Sequence, residues 1–284
     1  MTRLHIALIA ALIAVTLTGC LQSATTFIIK KDGTARIVDT MLYTPRFLGM
    51  MESMSNMGKD SADKEPFNPI DAKKIAEDAA DFGTGVTFDR FEEIKKGAST
   101  GYVAYYDVAD ISTLKIEKDR GTSKIKEDSN DKASLEDDDN MTGEPVSLML
   151  RDGVLTIMNP LDMGGDDESG EETQMEEEEE QSDEEIAQSL DMMSGFMRGL
   201  RFSVAVEVDG DIDETNATYV DGSRITLMMM DFDEMIKIWE ENPEAFKEFD
   251  MVKDKNITNF KKLLEAYPNN AIQMEFEEEV TVKF

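Results

Sequence analysis

From Phe27 the chain reads FIIKKDGTARIVDTMLY, with β-prone residues alternating on both sides of Asp32-Gly33. Asp-Gly suits a turn that needs positive φ, so the stretch predicts a β-hairpin. PRFLGMMESMSNMGK then sets Phe47, Met50, Met51, Met54 and Met57 at helical spacing and predicts a short amphipathic helix. NPIDAKKIAEDAADFG carries clearer helix marks. Asn68 can cap, Pro69 fits the first turn, Ile70, Ile75, Ala79 and Phe82 fall roughly on one side, and Gly83 ends it. VTFDRFEEIKK and GYVAYYDVADI read as strands joined around residues 97–101, and VSLMLRDGVLTIMNP repeats the hairpin pattern about Asp152-Gly153.

Helical spacing returns in SDEEIAQSLDMMSGFMRGL, where Ser182 and Glu185 make a capping box and Ile186, Leu190, Met193 and Met197 form the apolar stripe. RFSVAVEVDGDIDETNATYVDGSRITLMMM follows as strands broken by turns. Asp231 and Glu234 can box a helix carrying Met235, Ile238 and Trp239, and Asn242-Pro243 can start another. NITNFKKLLEAYP brings Phe260, Leu263, Leu264 and Tyr267 to one face. In IQMEFEEEVTVKF the positions Ile272, Met274, Phe276, Val280, Val282 and Phe284 share one side and polar residues the other, which predicts one strand with a buried and a wet face. The predicted fold class is α+β: antiparallel β-hairpins in one sheet with helices packed on one face.

Charge changes this picture at two places. The chain holds 61 acidic and 29 basic residues, for a net charge of −32. Fourteen of the acids lie in Asp162–Glu185, a run without Lys or Arg, and Glu117–Glu144 is also charged and poor in large apolar residues. Such runs repel themselves and bury little, so residues 117–144 and 162–183 are expected to be acidic disordered loops inserted within one sheet of a single domain, 20–284. The acidity excludes nucleic acid, which basic proteins bind through counterion release, and it opposes attraction to anionic lipid headgroups.

The N-terminus supplies the localisation. Arg3 precedes an apolar run from Leu4 to Val15, then Thr18, Gly19 and Cys20. Basic, apolar and small residues in that order make a secretory signal, and the run is shorter than the roughly 20 residues of a membrane span. LTGC also resembles the bacterial lipobox, which implies cleavage before Cys20, loss of residues 1–19 and a lipidated N-terminal cysteine. Several buried acyl chains, at about 0.8 kcal/mol per CH2, anchor a protein stably where one is marginal. The competing reading is a core cysteine in an uncleaved helix. Leu21 after Cys20 leaves an inner-membrane, outer-membrane or cell-surface position open.

Beyond Cys20 there is no further cysteine, and the one histidine, His5, lies in the signal. Zinc sites on Cys or His, Cys-His and Ser-His-Asp catalysis, and haem or iron-sulfur ligation by those side chains are thereby removed. No cofactor and no enzymatic activity are expected. With LTGC, the early KKDGTARIVDTMLY hairpin and GLRFSVAVEVDGDIDETNATYVDGSRITL, the chain resembles the LppM-type bacterial lipoproteins over about residues 20–230. The shared run is Val206, Val208, Gly210, Ile212, Thr215, Asn216 and Ala217, with Asp221-Gly222 at the turn, while Asp209 and Leu227 depart from the Pro and Trp of that pattern. The resemblance implies an envelope-anchored α+β domain that binds a hydrophobic or lipid-like molecule, and it carries over no catalytic residue.

Two clusters remain as binding candidates. Met51, Met54 and Met57 stand at M-x-x-M spacing that can hold Cu(I), whereas Met50, Met54, Met57, Met193 and Met197 equally suit an apolar helix face or a Met-lined pocket. Asp209, Asp211 and Asp213 mimic the first ligands of a Ca2+ loop, but Glu214 and Val220 stand where that loop needs Gly and Glu, and turn acids are the plainer reading. The sequence therefore predicts a membrane-anchored, non-enzymatic binding module, its partner an apolar ligand or an envelope protein.

Overall fold

The computed structural model describes residues 21–55, 68–117, 145–159, 197–252 and 270–284, with 188, 190, 191, 194, 195, 261, 262, 264, 267 and 268 besides; the side chains of 54, 55, 247, 248 and 250–252 are excepted. The signal at 1–19, Cys20, Met57, Met193, Ser182 and the acidic stretches, apart from Glu117, lie outside the described residues.

β1 (Leu21–Ile29) and β2 (Ala35–Tyr43) form the expected hairpin, which starts at Leu21 rather than Phe27 and pairs Leu21 with Tyr43 through to Ile29 with Ala35. Its turn is closed by Lys30 N–H donating to the Thr34 carbonyl at 2.9 Å, with Gly33 at φ +82°. Asp32 Oδ1 accepts from Thr34 Oγ1 and N–H at 2.7 and 3.0 Å, which holds the Asp32 carboxyl below its ordinary value. Alternate residues of β1, from Leu21 to Ile29, face the core.

Two sheets replace the one expected. The larger runs β11-β10-β7-β1-β2-β4-β3, with β9 also paired to β10: β3 is Val86–Lys96, β4 Ser99–Val108, β7 Leu200–Val208, β9 Val220–Asp221, β10 Arg224–Asp231 and β11 Ile272–Met274. All its pairs are antiparallel except β1 with β7, which run parallel from Leu21–Leu200 to Ile29–Val208. The smaller sheet runs β5-β6-β12-β8, from β5 (Ser147–Arg151), β6 (Val154–Met158), β8 (Glu214–Thr215) and β12 (Glu279–Lys283). The second predicted hairpin is thus correct locally, with Asp152 at φ 51° and Gly153 at φ 78°, but it belongs to the second sheet.

The C-terminal alternation is cut in two. β11 pairs with β10, whereas β12 sits between β6 and β8. The cause lies at Glu275, which is fully buried although it occupies a polar position of the pattern. Its N–H donates to the carbonyl of Leu227, the residue at the β10 bulge, and its carboxylate accepts from Thr218 N–H at 2.7 Å, Thr218 Oγ1 at 2.9 Å and Glu277 N–H at 3.1 Å. Asn159, also fully buried, donates to the carbonyls of Glu275 and Glu277 at 2.9 and 3.1 Å. A buried polar group must be bonded or it costs free energy, and these partners hold the crossing between the sheets.

The helices follow their caps. α1 (Pro45–Ser55) buries Phe47 and Met51. α2 (Ala72–Glu77) is shorter than its pattern: Asp71, not Asn68, is the N-cap and accepts from Lys73 and Lys74 N–H, while Asn68 Oδ1 accepts from Ile70 N–H. In α3 (Phe232–Glu241) the expected box is half made. Asp231 Oδ1 accepts from Asp233 and Glu234 N–H, but its own N–H donates to the Ala271 carbonyl, and Glu234 turns to Lys237 and Asn270. α4 (Pro243–Val252) follows Asn242 as predicted, and Phe246 and Phe249 meet Trp239 at ring-centroid distances of 5.3 and 5.4 Å. Residues 188, 190, 191, 194, 195 and 197 are helical as the apolar stripe predicts, with Leu190 buried. Phe260 and Leu263 lie outside the described residues, whereas Leu264 and Tyr267 are buried, and the Tyr267 hydroxyl accepts from Trp239 Nε1 at 2.8 Å. One buried cluster joins the inner face of the large sheet to these helices and to the small sheet, giving the α+β class.

Gly101 in β4 lies opposite Leu42, and a Cβ there would stand 1.9 Å from the Met41 carbonyl oxygen. Backbone cannot yield as a side chain does, so Gly101→Ala is expected to cost about 2 to 3 kcal/mol, read as a lower urea midpoint at unchanged slope. Asp233 tests the α3 entry. Burial pushes its carboxyl above the ordinary value and Asp231 adds to the rise, against the hydrogen bond it accepts from Gly199 N–H at 2.8 Å. An acid with a raised folded value binds its proton more tightly folded than unfolded, so its contribution grows as pH falls from neutral through that value and levels off below the unfolded one. Asp233→Asn keeps an acceptor for Gly199, and urea titrations across pH are expected to show higher stability than wild type at neutral pH, a gain that shrinks as pH falls through the Asp233 value.

Candidate functional site

Polar side chains on the core face of a sheet mark where packing alone does not explain the sequence. Ser23 and Thr25 of β1 and Asp39 of β2 are buried in phase with Leu21, Phe27, Ile37 and Met41. Thr25 and Asp39 are direct cross-strand partners, and Thr25 Oγ1 donates to Asp39 Oδ1 at 2.7 Å. Strand register sets them in a row with Val204 on one side and Ala104 on the other. In such apolar company a hydrogen bond is stronger than in water, and losing the donor costs about 1 to 3 kcal/mol. A carboxyl group paired with a hydroxyl across the two strands fixes them to one another. The sequence carried the signal in RIVDTM, where Asp39 falls in phase with Ile37 and Met41.

A cleft of about 450 Å³ opens beside α2, lined by Ala76, Glu77, Ala79, Gly83, Val86 and Lys115 among others. Gly83, at φ +128°, closes one side: a Cβ there would meet the Thr113 carbonyl oxygen at 2.1 Å. Its walls are small side chains, Thr84 among them, and backbone, with Glu77 and Lys115 as the charged groups. Such an open surface can receive a small group of mixed polar and apolar character.

Of the Met candidates named from sequence, Met50 is half-buried against the core and Met197 likewise, on separate helical segments, while Met57, Met193 and the side chain of Met54 lie outside the described residues. Met54 belongs to α1. Asp209, Asp211 and Asp213 are exposed, and Asp213 N–H donates to the Lys283 carbonyl, so they edge the loop between β7 and β8. Among the described residues no three His, Cys, Asp or Glu side chains stand together as a metal site needs. Outside the core, the charged groups make exposed pairs: Arg36 with Asp107 at 2.8 Å, and Arg90 with Asp89 at 2.6 Å, its guanidinium 4.0 Å from the Tyr105 ring centroid. Arg224 is half-buried. Burial lowers its pKa from the ordinary value, against the pull of Glu207 and Asp221, and it donates to Thr26 Oγ1 at 3.0 Å. Met149 of β5 and Met158 of β6 are exposed on the same face of their hairpin. Among the described residues no helix is long and apolar enough to cross a membrane.

No protein family matches the sequence, and no curated relative matches it. The chain is similar in structure to the folded domain of Mycobacterium tuberculosis LppM, solved by NMR; the match covers 75% of this chain and 84% of that one, at 8% identity and a TM-score of 0.25.

Proposed function

We propose that this is a bacterial lipoprotein held to the envelope through Cys20, whose non-enzymatic domain works as a binding module at its surface. The observation that carries the reading is that the residue after the lipobox cysteine is already part of the fold: Leu21 lies in β1, is fully buried, and its N–H donates to the Gly199 carbonyl at 3.2 Å. The cut predicted from sequence leaves the described strand, Leu21–Ile29, intact. Phe47 and Met51 of α1 and Phe232, Met235 and Trp239 of α3 share one buried cluster with the inner face of the large sheet. Partners therefore meet the outside of the domain in this reading.

The cleft beside α2 favours a second reading, capture of a small apolar or lipid-like group against Ala76, Ala79 and Val86. Two measurements separate these. Labelled palmitate is expected to enter the wild-type protein in cells and to be lost from Cys20→Ser; label that survives the substitution overturns the anchor. Solvent extraction of the purified protein leaves covalent acyl chains on Cys20 and frees a captured ligand. The surface reading expects an empty extract, and a released lipid that disappears in Ala76→Trp, which obstructs the cleft from a partly exposed position, supports capture instead.

A further inference from the structure

If Cys20 carries the anchor, the path from lipid to fold is a single peptide link, because Leu21 is already in β1. Successive Cα atoms are about 3.8 Å apart, so the end of the large sheet at which β1 starts lies within a few ångströms of the attachment point. Strand register identifies that end. Leu200, Leu21, Tyr43, Thr100 and Lys95 form one row across β7, β1, β2, β4 and β3. Past the row come Arg198, Arg46 at the start of α1, and the β3–β4 turn with Lys96 and Ala98. We infer that this end is a membrane-contact face, lying on the phospholipid headgroups with the β3–β4 turn, Arg46 and Arg198 against them. The inference rests on the anchored reading above.

Charge is distributed to suit it. Among the described residues at this end, Arg46, Lys95, Lys96, Arg198, Arg201 and Lys237 meet the acids Asp191, Asp231, Asp233, Glu234 and Glu240, so the described charges are near balance in a chain of net charge −32. Several of these acids are already engaged: Arg198 pairs with Glu240 at 2.6 Å, Arg201 lies 3.6 Å from Asp231, and Asp233 accepts from Gly199 N–H. Arg46 donates to the Gly195 carbonyl, which ties α1 to the segment leading into β7. The opposite end, reached where Ile29 pairs with Ala35 and Val208, carries Asp32, Asp110, Asp209, Asp211, Asp213 and Asp221 around Lys30, Lys31 and Arg224. Nine residues of strand separate the ends by about 30 Å, beyond the screening length at physiological salt. An anionic surface is then met by the neutral end, while the acidic end is held outside its field.

The chain's single cysteine makes the orientation measurable. In full-length protein lipidated in cells, Ala98→Cys and Asp211→Cys each leave one free thiol for a spin label. After reconstitution in phosphatidylcholine–phosphatidylglycerol vesicles, relaxation by a nickel-chelating lipid is expected to be several-fold stronger at position 98 than at 211. A Gly/Ser linker of about ten residues inserted between Cys20 and Leu21 should erase the difference, because such a chain is flexible. Equal or reversed relaxation without the linker, in protein that stays on the vesicles, overturns the contact face and leaves the anchor standing. Protein that does not stay on the vesicles, and whose Cys20 peptide carries no acyl mass, overturns both.

Discussion

β1 is hydrogen-bonded along both edges, antiparallel to β2 and parallel to β7, and the large sheet is laid out from those two seams. The first is local, closed by the turn at Asp32-Gly33. The second joins Leu21 to Leu200, across most of the chain, and the entropy of closing so long a loop grows only slowly with its length. Side chains on one face must then fix the register, because a slip of one residue would send the core face to solvent. A slip of two would keep the faces but part Thr25 from Asp39, leaving the carboxylate without that donor beside Val204 and Ala104. A buried polar pair that adds little net stability can still select one pairing over another.

Local signals in the sequence were dependable where the structure is local. Both Asp-Gly hairpins form, and Asp231, Asn242 and Pro243 stand at helix starts as their types predict. The helix at Ala72 differs because two cap candidates compete, and Asp71 lies next to the apolar turn where Asn68 lies before Pro69. The division into two sheets was not legible. In IQMEFEEEVTVKF Glu275 looks like any solvent-facing acid, and its burial is made tolerable by donors the pattern does not show, Thr218 from between β8 and β9 and the Glu277 N–H. The parallel β1–β7 seam was equally hidden, since both strands read as ordinary alternating segments. The polar stripe at Ser23, Thr25 and Asp39 was visible in phase but was masked by the stronger turn signal beside it.

The crossing at Glu275 and the entry at Leu21 are solved by different physics. At Leu21 the chain enters as apolar surface, buried and bonded to Gly199. At Glu275 it passes between sheets through polar groups: Leu227 of β10 takes the Glu275 N–H, while Asn159 bonds its carbonyl and Thr218 its carboxyl group. The small sheet depends on this passage, as does Asn216, whose side chain donates to the Glu279 carbonyl and accepts from Thr281 N–H.

The place of β12 also sets an order of assembly. It is the last strand of the fold in sequence, yet it is interior to the small sheet, with β6 on one edge and β8 on the other. Until it is made, the β5–β6 hairpin has an open edge, and an isolated hairpin is marginal in water. A chain emerging N-terminus first can therefore close β1 on β2 early, but Leu148, Leu155 and Ile157 wait uncovered on the small-sheet side until Val280 and Val282 arrive. For as long as that interval lasts, the unpaired edge of β6 is a template for another chain, and the speed of completion becomes a term in how much of the protein escapes aggregation.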